Sequence, residues 1–128
     1  MRAFSKHLQH DDIVAAISRA EHKTTGEIRV SISPKRIEDP VAAAQMEFMR
    51  LGMNHSKEQN GVLIFVAPRS RKFAVIGDAA VHAKCGDDFW RQLADAMTGF
   101  FRKSEFTTGI IHGVQKAGDL LAEHFPRK

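Results

Sequence analysis

Residues 61–78 read Gly61-Val62-Leu63-Ile64-Phe65-Val66-Ala67-Pro68-Arg69-Ser70-Arg71-Lys72-Phe73-Ala74-Val75-Ile76-Gly77-Asp78. From Val62 to Ala67 no side chain is polar, which is the pattern of a strand covered on both faces. Lys72 to Ile76 reads as another strand, bounded by Gly77-Asp78. Only Pro68-Arg69-Ser70-Arg71 separates the two, too short for anything but a reversal, so the pair reads as an antiparallel hairpin around the central strand.

Upstream, Glu27 to Ser33 alternates polar and apolar residues as a half-buried strand does. Pro34 ends it. Between this strand and Gly61, Asp39-Pro40 is a helix-start signal, cap followed by proline in the first turn. The helix it opens carries Val41, Ala44, Phe48 and Leu51 on one face and stops near Gly52, before a polar stretch from Asn54 to Asn60. A helical crossover makes the first and second strands parallel neighbours. The period of Ile13, Val14, Ile17 and Ala20 predicts a first helix over about 11–23, capped by Asp11 or Asp12 and stapled by Phe4 and Leu8.

Two helices finish the chain. Asp87 or Asp88 is expected to cap one, with Phe89, Trp90, Leu93, Met97 and Phe100 inward, and Thr107 or Thr108 to cap the other, with Ile110, Ile111, Val114, Leu121 and Phe125 inward. The expectation is one α/β domain over residues 1–128: a small mixed β-sheet, made of a parallel pair and an antiparallel hairpin, sandwiched by about four helices.

Composition excludes several classes. The chain is too apolar for a disordered one, with 43% hydrophobic and 27% charged residues. Cys85 is the only cysteine, so no internal disulfide forms. The longest apolar run, Val62 to Ala67, falls far short of the roughly 20 residues that cross a bilayer. Met1 to His7 lacks the apolar core of a secretory signal, and a cytoplasmic location is the expectation. Nineteen basic against fifteen acidic side chains give +4, modest for a nucleic-acid binder, and no nucleic-acid motif is present.

The connectivity predicts a site. With the third strand reversed, the starts of strands one and two lie at the same sheet end as the finish of strand three, so Glu27, Asn60 and Asp78 share an edge. A helix starting a short loop later would return Asp87 and Asp88 to it. Carboxylates held together raise one another's pKa unless a cation is shared. Glu27, Asn60, Asp78, Asp87 and Asp88 form a hard-oxygen set suited to Ca²⁺ first, or to Mg²⁺. Otherwise the acids are helix caps, a turn residue and a solvated strand end. His82, between Asp78 and Asp87, is the candidate proton-transfer group there, or an ordinary loop histidine. At the opposite end Lys35, Arg36, Arg69, Arg71 and Lys72 gather into a basic pole, either a docking site for a protein or other anionic partner or a solvated rim.

Other motifs carry less. Cys85 and Arg91 have the cysteine-x5-arginine spacing of phosphatase loops, but Asp87 and Asp88 stand where a phosphate would sit. His7 and His10 have the spacing of a surface metal contact. Met46, Met49 and Met53 recur at helical spacing, either as an adaptable binding face or as core filler.

Three stretches together resemble the TPM domain family, known from a thylakoid-lumen protein linked to photosystem II repair and from bacteria. They are Thr24-Thr25-Gly26-Glu27-Ile28-Arg29-Val30, Asn60-Gly61-Val62-Leu63-Ile64-Phe65-Val66, and Arg71-Lys72-Phe73-Ala74-Val75-Ile76-Gly77-Asp78 with Asp87. The resemblance spans about residues 10–125. It implies a small α/β sandwich, divalent-cation binding, and an acid phosphatase activity described for plant members. The chain departs from it at Gly77-Asp78-Ala79-Ala80-Val81-His82, where the family usually shows glycine-x-glycine-leucine-glutamate. It also departs in lacking the signal or anchor that many relatives carry, as a cytoplasmic bacterial branch would. Three functional expectations follow: a cation-binding interaction or regulatory module, a metal-assisted phosphatase, and a metal-free scaffold.

Overall fold

The structure, a computed structural model, describes residues 9–127. Helix α1 spans His10–Glu21, strand β1 Ile28–Ile32, helix α2 Pro40–Arg50, strand β2 Val62–Ala67, strand β3 Lys72–Gly77, helix α3 Ala79–Arg102 and helix α4 Phe106–His124. The sheet order is β1-β2-β3, with β1 parallel to β2 and β3 antiparallel to it. This is the α/β fold with a small mixed sheet that the strand patterns predict.

Strand β2 is buried along its whole length, as a central strand between two layers must be. Its alternating side chains feed two cores. Val62, Ile64 and Val66 face α1, α3 and α4, where Ile13, Leu93, Met97, Val114 and Leu121 close the larger core. Leu63 and Phe65 face the other way and meet Ala44 and Phe48 of α2, with Met53 and Ala74. Three helices therefore cover one face of the sheet and α2 alone covers the other.

Local chemistry explains most boundaries. Asp39 caps α2, its Oδ1 accepting from the Ala42 N–H at 3.1 Å, and Pro40 takes the first helical position. Gly52, at φ +74°, ends that helix. The hairpin turns through a short 3₁₀ segment, Pro68–Ser70, closed by Arg71 at φ +54°.

Several end positions differ from expectation. Helix α1 is capped by Gln9, whose side chain makes no capping bond; Asp11 and Asp12 fall inside the first turn, favourable for the helix dipole. Thr107 and Thr108 do not cap α4, which follows Glu105; Thr107 Oγ1 accepts instead from the Gln9 N–H at 3.0 Å. The proposed staple by Phe4 and Leu8, and His7 of the histidine pair, lie outside the described residues.

The largest difference concerns α3. It begins at Ala79, directly after β3, with Asp78 as its cap, rather than at Asp87 or Asp88. Gly86, at φ +74° and ψ 171°, breaks it into two arms. Ala79 to Cys85 is alanine-rich and places Val81, fully buried, in the main core, so helix propensity and burial agree there.

Candidate functional site

The sheet end where β1 and β2 begin and β3 finishes is held by backbone bonds across all three strands. The Val62 N–H donates to Glu27 O at 2.8 Å, and the Asp78 N–H donates to Gly61 O at 2.9 Å. Glu27, Asn60 and Asp78 thus share one edge, as strand order predicts. The Ala80 N–H donates to Gln59 O at 3.1 Å, which ties the loop before β2 to the first turn of α3.

The side chains at this edge have separate employments. Glu27 Oε2 accepts from Arg29 Nε at 2.9 Å, a partly exposed ion pair. Asn60 is 2% exposed, and its amide nitrogen donates to Thr25 Oγ1 at 3.1 Å and to Glu58 Oε2 at 3.0 Å. Glu58 Oε2 also takes the Thr25 hydroxyl proton bond at 2.6 Å. Glu58 and Thr25 were not legible as site residues. Their one signal is the spacing of Glu58 and Asn60, which places two polar groups immediately before an apolar strand.

Asp78 differs from the others. Its Oδ1 accepts from the Ala79 N–H at 2.8 Å, while its Oδ2 is buried and meets no hydrogen-bond donor among the described residues. Trp90 lies nearby: a Cβ added to Gly77 would come within 2.7 Å of its ring. The Trp90 indole N–H is likewise buried and unpartnered. His82, one turn into α3, is exposed and stands 5.5 Å from the Trp90 ring, centre to centre. Its N–H backbone bond to Asp78 O, 3.1 Å, fixes it on the first turn that Asp78 caps.

Asp87 and Asp88 do not arrive by the expected loop. The residues from Ala79 to Cys85 are helical and advance about 10 Å along the axis before Gly86 turns the chain. Both acids are exposed on the second arm, and Asp88 pairs with Arg91 at 3.4 Å. Among the described residues no group of three His, Cys, Asp or Glu side chains gathers that could hold a metal ion. The oxygen set at the edge itself is therefore smaller than expected: Asp78 with its unpartnered oxygen and Asn60 Oδ1 with only a long 3.5 Å contact to Ser56. Such donors fit a hard cation in kind, with water completing the coordination.

The cysteine-x5-arginine spacing forms no phosphate loop. Cys85 lies within α3, and burial pushes its thiol pKa up, Glu123 adding to the rise against Lys84. Arg91 is engaged by Asp88. A raised thiol and a helical backbone are the reverse of what a nucleophilic cysteine needs. At the opposite sheet end Lys35, Arg36, Arg69, Arg71 and Lys72 are all exposed, and Lys72 Nζ donates to Glu38 O at 2.7 Å.

The three stretches that carry the family resemblance meet at the acidic edge. Thr24, fully buried, donates its hydroxyl to Leu121 O at 3.1 Å and Phe125 O at 2.5 Å, and accepts from the Gly26 N–H at 3.0 Å. Gly26 has no room for a side chain, since a Cβ would stand 2.9 Å from Asn60 O and from Leu121 Cδ1. Among solved structures, the chain is similar to the BA42 protein from the psychrophilic bacterium Bizionia argentinensis, at 38% identity and a TM-score of 0.86, covering 95% of this chain and 86% of that one. The N-terminal domain of a protein from P. gingivalis matches at 19% identity and a TM-score of 0.73, covering 91% of this chain and 76% of that one. That of the cg2496 protein from Corynebacterium glutamicum matches at 16% and 0.66, covering 87% and 70%. These last two speak for the fold alone. No curated protein matches. The TPM domain family matches residues 3–120, nearly the whole length, and this decides the matter: the chain belongs to the TPM domain family.

Proposed function

We propose that this TPM domain takes a divalent cation, Ca²⁺ or Mg²⁺, at the sheet edge around Asp78 and acts as an interaction or regulatory module. The observation that carries the reading is the buried Asp78 Oδ2, which meets no donor among the described residues. A buried carboxylate oxygen left unpaired is costly, and a hard cation is one group that satisfies it. Asp78 would be the principal ligand, with Asn60 Oδ1 as a further oxygen donor. Bound there, an ion supplies positive charge between the loop before β2 and the first turn of α3, and its chemical effect is to stiffen that junction. Glu27 would reach it only by leaving Arg29, and Asp87 and Asp88 stay outside the set.

The testing variant is Asp78→Asn, because asparagine caps helices as well as aspartate does and the fold is retained. The wild-type chain should melt at a higher temperature in millimolar Ca²⁺ than in chelator, and the variant should not. No Ca²⁺ or Mg²⁺ response in the wild type removes the reading and leaves a metal-free scaffold. A second reading, metal-assisted phosphomonoester hydrolysis, draws on His82, exposed on the turn that Asp78 caps. It requires chelator-sensitive phosphatase activity that both Asp78→Asn and His82→Gln reduce. Activity unchanged in both variants excludes it.

A further inference from the structure

Helix α2 is alone on its face of the sheet and carries an apolar ridge that none of the described residues covers. Met46 is 74% exposed and Met49 64%, whereas Ala44 and Phe48, towards the opposite side of the same helix, are buried. Of the three methionines at helical spacing, only Met53, beyond the helix, is core filler. Exposed large apolar residues confined to one helix face mark a contact surface.

The charges around the ridge identify what it meets. The hairpin tip is tied to the entrance of α2 by the Ile37 N–H donating to Ser70 Oγ at 2.7 Å and by Lys72 Nζ on Glu38 O. This brings the basic pole, Lys35, Arg36, Arg69, Arg71 and Lys72, to the N-terminal end of α2. Lys57, exposed, follows at its other end, where Arg50 is paired with Glu47. The acids on this side are mostly engaged. Asp39 caps α2, Glu47 holds Ser31 and Arg50, and Glu58 holds Thr25 and Asn60. The flanking surface is polar where β1 adjoins, at Arg29 and Ser31. Flexible methionines beside a dense cationic pole match a soft, negatively charged boundary.

We propose that α2 is a docking surface for an anionic lipid bilayer, with Met46 and Met49 entering the headgroup boundary and the basic pole facing the lipid phosphates. This surface lies apart from the Asp78 edge and does not depend on the cation reading.

Vesicle flotation of the full chain tests it, using vesicles of phosphatidylcholine alone and of equal parts phosphatidylcholine and phosphatidylglycerol. Binding is expected to the anionic vesicles only, to weaken as salt is raised, and to fall about tenfold in the double variant Met46→Ser, Met49→Ser. Met46→Leu with Met49→Leu should keep it. Both sites are exposed, and an unchanged circular dichroism melt verifies the fold of each variant. No binding to anionic vesicles at low salt overturns the proposal, as does binding that the serine variant retains. Concentration-dependent dimers that the serine variant disperses also overturn it, by assigning the ridge to a second copy.

Discussion

At the residue scale, single buried polar groups hold the acidic edge together. Thr24 bonds three backbone groups from two distant parts of the chain, the end of α4 and the start of β1. Thr24→Val keeps the shape but leaves the Gly26 N–H buried without an acceptor. It should cost about 1–3 kcal/mol in chemical denaturation. In the sequence Thr24-Thr25-Gly26 registers only as a break in the helical period, because Thr24's partners at the end of α4 are some hundred positions away. Glu47 is a second case. Hydrogen bonds from Arg50 and then Ser31 lower its pKa from 4.5 to about 2. Since the folded value is depressed, its stabilisation is present above the ordinary carboxylate range and is lost as pH falls from 4.5 towards 2. Arg50 is largely exposed, so Glu47→Gln should cost only about 1 kcal/mol at neutral pH. The melting difference between variant and wild type should close as pH falls through that window.

At the element scale, α3 shows what a local signal reaches and what it misses. Gly86-Asp87-Asp88 has the look of a helix start, glycine followed by cap residues, and the second arm of α3 does begin after the non-helical Gly86. The arm before it, from Ala79 and capped by Asp78, is what the sequence pattern did not show. Gly86 holds φ +74° and ψ 171°, a region that side chains avoid, although nothing stands within 4 Å of an added Cβ. Gly86→Ala should therefore destabilise the fold by about 1–3 kcal/mol through the backbone alone, read from the shift in melting midpoint. An unchanged melt would show that the two arms can straighten without cost. The same element removed Asp87 and Asp88 from the acidic edge, because a helix replaced the short loop that was to return them. By contrast α2 was legible from Asp39-Pro40 to Gly52, since both its ends are decided by residues adjacent in sequence.

At the scale of the whole molecule, the unequal covering of the sheet sets the two candidate surfaces. Three helices close one face, and their packing is tight at Gly118, where a Cβ would stand 2.7 Å from Ala20 Cβ. Gly118→Ala should push α1 from α4 and cost about 1–3 kcal/mol, measured by thermal melting. The chain belongs to a family whose fold was readable from strand periods, the short hairpin connection and the helical crossover. These depend on neighbours in sequence, so the α/β class, the strand order and the sharing of one edge by Glu27, Asn60 and Asp78 followed from the sequence alone. Which polar atom at that edge lacks a partner, that Glu58 and Thr25 occupy Asn60, and that Met46 and Met49 face outward while Met53 faces in, were decided only by tertiary structure. Each depends on groups far apart in the chain competing for the same space or the same hydrogen bond, and such competition has no local signature.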